Sequence, residues 1–297
     1  MSYASTARHR DVDRSLAAIE ARRFARHPLF LVGAVIAWVM AWMAPAQGEY
    51  PTELLAYLIA PAFFIGVPSI VVAHRLTRSS ERSAEALATV PSSEADHTRA
   101  LVGACVVPFA AGLVWTAIFL ASVAVNGPVH PNEPWFGTMN DLDVASILLA
   151  LGPVACLGGG LLGVLSGRWL KFPGAGVVVA VAVILVDLAG QGALANSSGD
   201  TQRLRLWVPW AMFDLGSNED GTQSILAGSP VFYLAYLLAL CGLAATAAIW
   251  HDRTARGGRT TAAVAGFAGA AVVFLALAML TGPDAFTSGS VPSLVEK

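Results

Sequence analysis

Seven stretches of this chain stay apolar for about as long as a bilayer is thick, and that feature limits what it can fold into. They run over roughly 28–46, 53–74, 100–125, 144–166, 174–192, 230–250 and 261–281. A membrane-crossing helix needs about 20 predominantly apolar residues. Hydrocarbon offers backbone groups no partners, so each stretch must be a helix or part of a closed barrel. The runs are too long and too uniformly apolar for the alternating strands of a barrel. Of the 297 residues, 56% are hydrophobic and 13% charged, against roughly 25% charged in soluble domains. No aqueous fold of this size could hide so much apolar surface. The expected fold class is therefore all-α, a polytopic helical membrane protein.

The placement of charge orients these spans. Arg8, Arg10, Arg14, Arg22, Arg23 and Arg26 precede the first span, and Arg75, Arg78, Arg82 and Arg99 lie between the second and third. Arg168 and Lys171 follow the fourth, and Arg253, Arg256 and Arg259 follow the sixth. Only Arg203, Arg205 and Lys297 of the 18 basic residues fall on the other side. By the positive-inside rule the N-terminus is cytoplasmic and the C-terminus extracellular. Residues 1–27 contain no short apolar core with a small-residue cleavage site, so the first span is expected to be a retained anchor.

The segments between spans carry their own signals. In 11–27, Leu16, Ile19 and Phe24 share a helical face while Arg14, Glu20, Arg22 and Arg26 occupy others, which suits a helix lying in the interface. Pro28 ends it and turns the chain into the membrane. In the loop 75–99, Ser79 or Ser80 is expected to cap a separate helix of about 10 residues, with Glu81 and Glu85 in its first turn. Pro91 stops that helix, and Ser93 with Asp96 forms a capping signal for the next. Leu87 and Val90 would be its apolar contacts and Glu81, Arg82 and Glu85 its polar rim. On the outer side, 127–142 is Pro-rich, and 190–229 is too long for a structureless connection. Its cluster of Leu204, Leu206, Trp207, Val208, Trp210, Met212 and Phe213 predicts a short helix on or in the outer leaflet.

Within the spans, Pro61, Pro68, Pro108 and Pro153 are expected to kink helices. Gly159, Gly163 and Gly167 repeat every four residues, which lets helix backbones approach closely. Cys105, Cys156 and Cys241 are dispersed and read as packing residues. Asp187 is the one clear ionisable residue inside a span, and an intramembrane charge is a functional candidate by default. It is expected to pair with the outer loop, for example Arg203 or Arg205, or to meet water. The lysines are Lys171 and Lys297, and neither follows a phosphate-cradling glycine pattern, so the chain is not expected to hydrolyse ATP. No His-Glu-x-x-His or other metal-ligand spacing occurs, and catalysis by this chain is not expected.

Several stretches together resemble the permease subunits of type-2 ATP-binding-cassette exporters, actinobacterial members in particular. They are Arg-Arg-Phe-Ala-Arg-His-Pro-Leu-Phe-Leu at 22–31, Glu-x-Leu-x-x-x-Pro at 85–91, Ser-Pro-Val-Phe-Tyr-Leu-Ala-Tyr-Leu-Leu-Ala-Leu at 229–240 and His-Asp-Arg-Thr-Ala-Arg at 251–256. The long outer loop between spans five and six adds to the likeness, which reaches to about residue 280.

The resemblance implies a six-span permease core at 28–250 in a bacterial cell membrane, exporting a drug, an antimicrobial peptide or a lipid-like compound. A separate ATPase subunit, a dimer carrying the ATP and Mg, would dock on Glu81, Arg82, Glu85, Leu87, Val90 and Pro91, together with Arg22, Arg23 and Phe24 of the leading segment 1–27. This chain itself would bind no cofactor. A second permease, identical or homologous, would complete the substrate path, with spans one, two and five lining it. Trp207, Trp210 and Phe213 would form an outer gate. The bilayer is the other expected partner; nucleic acid is not one. After the cytoplasmic loop 251–260, the seventh span 261–281 and the tail 282–297 depart from the six-span pattern. Two other readings remain open: a stand-alone secondary carrier, and a membrane anchor or sensor that transports nothing.

Overall fold

The computed structural model describes residues 15–44, 57–86, 93–126, 139–193, 203–211, 216–217, 223–225, 228–282 and 286–288. The chain is a polytopic all-α membrane protein. Helix α1 (Ser15–Ala25) meets α2 (Pro28–Met43) at a 65° bend. The bend falls where Pro28 was expected to turn the chain. Pro28 opens α2 at a position that needs no N–H, and His27 Nδ1 accepts from the Leu29 N–H at 3.3 Å. Phe24 of α1 is buried edge-on against Phe30 of α2, with ring centroids 5.2 Å apart, which fixes the angle.

The second crossing, Tyr57–Glu81, contains a π-helical turn at Ala62–Gly66 and continues as α3 (Val67–Ala86). The third is α4 (Glu94–Ala104) followed by α5 (Val106–Asn126). The fourth joins α6 (Asp141–Leu149) through a second π turn, Ala150–Val154, to α7 (Ala155–Trp169). Then come α8 (Ala175–Ala193), α9 (Pro230–Trp250) and α10 (Gly258–Leu280). The irregularities sit where proline removes a backbone donor. One π turn follows Pro61, the other contains Pro153, and the third crossing breaks at Cys105, three residues before Pro108.

Five of the seven apolar runs are helices long and apolar enough to cross a membrane: Tyr57–Glu81, Glu94–Asn126, Asp141–Trp169, Pro230–Trp250 and Gly258–Leu280. The first run forms the 16-residue α2, which is long and apolar enough for a crossing only when counted together with α1 across the bend, and the fifth is a shorter apolar helix, Ala175–Gly190. The expected capped helix within 75–99 is not a separate element. Helix α3 runs unbroken through Ser79 and Ser80 to Ala86. Neither serine caps a helix, because each is engaged by α1: Arg23 Nη2 donates to Ser79 Oγ at 3.0 Å and Ser80 Oγ donates to Glu20 Oε1 at 3.4 Å. The second capping signal does form. Ser93 Oγ accepts from the Asp96 N–H, and Asp96 Oδ2 accepts from the Ser93 N–H, both at 3.2 Å.

Helix α7 is the hub. Of the fourth crossing's apolar window 78% is buried, against 11% for α10. Its glycine ridge lies on the second crossing so closely that a Cβ at Gly159 would stand 2.4 Å from the Gly66 carbonyl oxygen, and one at Gly163 2.4 Å from that of Ile70. This is the close approach that four-residue glycine spacing permits. The three cysteines are free and buried. The seventh helix, α10, packs along α9 and leaves Val272, Val273 and Leu280 facing outward, as lipid-facing residues should.

A small antiparallel sheet adds to the helices. Strand β1 (Gly216–Ser217) pairs with β2 (Gln223–Ile225), and β2 pairs with β3 (Phe286–Ser288) in the register Ile225↔Phe286. Strand β3, after α10, therefore lies at the same end as β2, before α9, as the two antiparallel helices between them require.

Candidate functional site

Helices alternate in direction, so one end of the bundle gathers the basic segments, and there the chain builds a charge cluster from distant parts. Arg168 closes α7 with its side chain turned inward, 1% exposed. Its Nη1 donates to Glu81 Oε1 of α3 at 3.2 Å and to Glu94 Oε1 of α4 at 3.4 Å. Glu81 also pairs with Arg78, one turn back on α3. Glu94 Oε1 meets His251 Nδ1, just past α9, at 2.9 Å. The arrangement offsets a buried guanidinium with two carboxylates, each holding a second partner.

A second tie closes the same end. Asp252 Oδ2 accepts from the Ala95 N–H at 3.0 Å, and Asp252 Oδ1 from the Thr254 N–H and hydroxyl at 2.8 Å each. The carboxylate sits at the N-terminus of α4, where unpaired N–H groups favour an anion. Burial pushes the Asp252 carboxyl up, but the bonds from Thr254 and Ala95 outweigh it and hold it below the usual carboxylate range. Helix α1 joins through Glu20, which accepts from Arg23 at 2.9 Å and from Ser80. One end of the bundle thus links α1, α3, α4, α7 and α9 through side-chain bonds.

At the opposite end, residues 203–211 fold over the bundle. A short 3₁₀ turn, Leu204–Trp207, leads into a segment held by two tyrosines of α9. Tyr233 Oη donates to the Val208 carbonyl at 2.9 Å and accepts from the Ala211 N–H at 2.8 Å. Tyr236 Oη donates to the Trp207 carbonyl at 2.9 Å. Gly190 of α8 makes room, since a Cβ there would stand 2.4 Å from Val208 Cγ2. Arg203 Nη1 donates to the Met279 carbonyl at 3.2 Å, tying the fold-over to α10, and the Ser229 N–H at the start of α9 donates to the neighbouring Ala278 carbonyl at 2.9 Å.

The fold-over treats its tryptophans differently. Trp210 is 4% exposed, its ring 6.3 Å from Phe63 in the first π turn and close to Gly66. Trp207 is 44% exposed beside Gly190. Beneath Pro209 and Trp210 lies an apolar cleft of about 240 Å³ between α7, α8 and α9, lined by residues such as Val154, Leu162, Val183 and Leu240. Within this single chain, the cleft belongs to spans four, five and six, with span two contributing the wall behind Trp210.

The residues singled out in the sequence fall as follows. Arg23 and Phe24 hold α1 in place, while Arg22 lies on its exposed side. Glu81 belongs to the charge cluster. Arg82 and Glu85 continue the last turns of α3, with side chains outside the described residues, and Leu87, Val90, Pro91 and Phe213 also lie outside them. Asp187 is 2% exposed and within electrostatic reach of the Tyr233 hydroxyl. Among the described residues no group of three or more His, Cys, Asp or Glu side chains could hold a metal ion. Sequence reasoning missed Arg168, Glu94 and His251 as a unit, and the Tyr233–Tyr236 pair. The tyrosines carried a sequence signal, two polar groups three residues apart in an apolar helix, whereas nothing local joins Arg168, Glu94 and His251, which stand at the ends of three different helices.

Compared with protein-family models, curated proteins and solved structures, the chain matches none.

Proposed function

We propose that this protein is the membrane-spanning permease of an ATP-driven exporter for a hydrophobic or amphipathic compound, powered by a separate ATPase subunit. The observation that carries the reading is the tie between α1 and the unbroken end of α3. A motor docked on 82–91 at this end would push directly on the second crossing. A continuous helix transmits such a push along its axis, and the Arg23–Ser79 and Ser80–Glu20 bonds carry it into α1 and, across the 65° bend, into α2.

The charge cluster supports the same reading, because it fastens α4, α7 and α9 to the helix that receives the force. By the positive-inside rule this end faces the cytoplasm, where ATP is. The cleft under Trp210 is almost entirely apolar, which favours a lipid-like or amphipathic cargo over a small ion. A second permease copy would complete the assembly, and the outward apolar faces of α2 and α8 offer it surface.

The test is purification of this chain in mild detergent from its native membrane, with any co-purifying ATPase subunit read by vanadate-sensitive ATP hydrolysis. Glu85→Arg with Leu87→Asp should abolish association while leaving the folded permease intact. Retention of the ATPase by that double variant, or no ATPase in the wild-type preparation, defeats the proposal.

A further inference from the structure

The cleft under Trp210 does not end at its floor. A second apolar chamber of about 370 Å³ shares Leu162 and Leu165 with it and continues along α7 to Trp169, between Val179 of α8 and Ala247 of α9. From Val154 to Trp169 is 15 residues of helix path, about 22 Å at 1.5 Å per residue. One leaflet of hydrocarbon is about 15 Å deep, half the ~30 Å core. The groove is therefore long enough to take a whole acyl chain laid along α7. Trp210 closes it at the far end, so a chain would enter from the basic end or from the side.

The basic end of the groove is furnished differently. Trp169 is 46% exposed, its Nε1 donates to the Ala247 carbonyl at 3.3 Å, and its ring stacks on Trp250 at 6.1 Å. The Arg256 guanidinium lies 4.6 Å over the Trp250 ring, and its Nε donates to the Trp250 carbonyl at 3.1 Å, so it is held beside the opening. Exposed Lys171 follows Trp169 and Leu170 at the same rim. Tryptophans prefer the depth of lipid headgroups, and basic pockets between helices bind anionic headgroups.

We propose that this groove is a binding site for one anionic phospholipid of the leaflet at the basic end. One acyl chain lies along α7, with the phosphate between Lys171 and Arg256 and the Trp169–Trp250 pair at the glycerol level. The site stands whether or not an ATPase docks, because none of its residues belongs to the proposed docking segment.

Native mass spectrometry of the purified full chain, titrated with phosphatidylglycerol or phosphatidylcholine, tests it. Wild type should retain one phosphatidylglycerol about 30-fold more tightly than phosphatidylcholine, two basic residues near an anionic headgroup being worth roughly 2 kcal/mol. Lys171→Ala with Arg256→Ala should bring the two lipids to near-equal, weak retention. Ala244→Trp, which fills the groove from α9, should remove both. Gly158→Leu is a second filling variant, and a Cβ there meets only Cys241 Sγ at 3.6 Å, so the fold has room for it. A wild type without lipid preference overturns the proposal. So does unchanged preference in the double variant, or full lipid retention in whichever filling variant keeps the wild-type thermal midpoint.

Discussion

Removing the wrong partner of Arg168 should cost more than removing Arg168 itself. The guanidinium is 1% exposed, whereas the side chains of Glu81 and Glu94 are 20% and 39% exposed. Glu81→Ala leaves a buried cation with one carboxylate, at 3.4 Å and partly in water. Stranding a buried charge costs ~3–5 kcal/mol; the remaining Glu94 contact lowers this to about 2–4 kcal/mol. Arg168→Met strands nothing, because Glu81 keeps Arg78 and Glu94 keeps His251. Methionine fills much of the volume, so the expected cost is about 0–2 kcal/mol. The double variant should lie close to Arg168→Met alone, so the coupling in a double-mutant cycle should equal the whole Glu81→Ala cost, about 2–4 kcal/mol. Equilibrium unfolding by sodium dodecyl sulfate in mixed micelles measures all four proteins. If Arg168→Met is as damaging as Glu81→Ala, or if the two losses simply add, Arg168 is not the buried charge that the carboxylates serve.

Further expectations follow from single contacts. Gly163→Ala would force a methyl to within 2.4 Å of the Ile70 carbonyl and should lower stability by at least ~1–3 kcal/mol, while Gly266→Ala, with nothing within 4 Å, should be neutral or stabilising by up to ~1 kcal/mol; the same micellar unfolding separates them. Tyr233→Phe removes the acceptor of the buried Ala211 N–H, worth ~1–3 kcal/mol, and hydrogen exchange at Ala211 should speed up at least about tenfold, whereas Tyr236→Phe should leave that amide unchanged. The Asp252 carboxyl is held below its usual range, so its contribution is complete above the unfolded carboxylate pKa and fades as pH falls through the lower folded value. The stability gap between wild type and Asp252→Asn should stay level from pH 8 to pH 5 and shrink only below about pH 4; a gap that closes nearer neutrality would place another group in control.

What was legible in the sequence was what neighbouring residues decide among themselves. The Pro28 bend, the Ser93–Asp96 cap and the glycine ridge each depend on groups within a turn or two, and each is present. Ser79 and Ser80 carried the same local cap signal as Ser93, yet α3 runs through them, because α1 arrives from 56 and 60 residues away to bind their hydroxyls. Trp207 and Trp210 sit in one aromatic cluster with no helical period to tell an inward face from an outward one, and the tyrosines of α9 decide which is which.

Arg168 shows the limit most clearly. Counted for orientation, it was one more basic residue at the end of a span. Its carboxylate partners stand 87 and 74 residues away in sequence, so nothing local marks it as buried. Its topological and structural roles are nonetheless separable. The leading arginines, Lys171 and the Arg253, Arg256 and Arg259 cluster remain at the same end when Arg168 is replaced. Arg168→Met should therefore weaken the bundle without reversing it, and a cysteine placed in the 253–259 loop should label from the same side in both proteins. Opposite labelling would mean that the guanidinium orients the chain before it is buried.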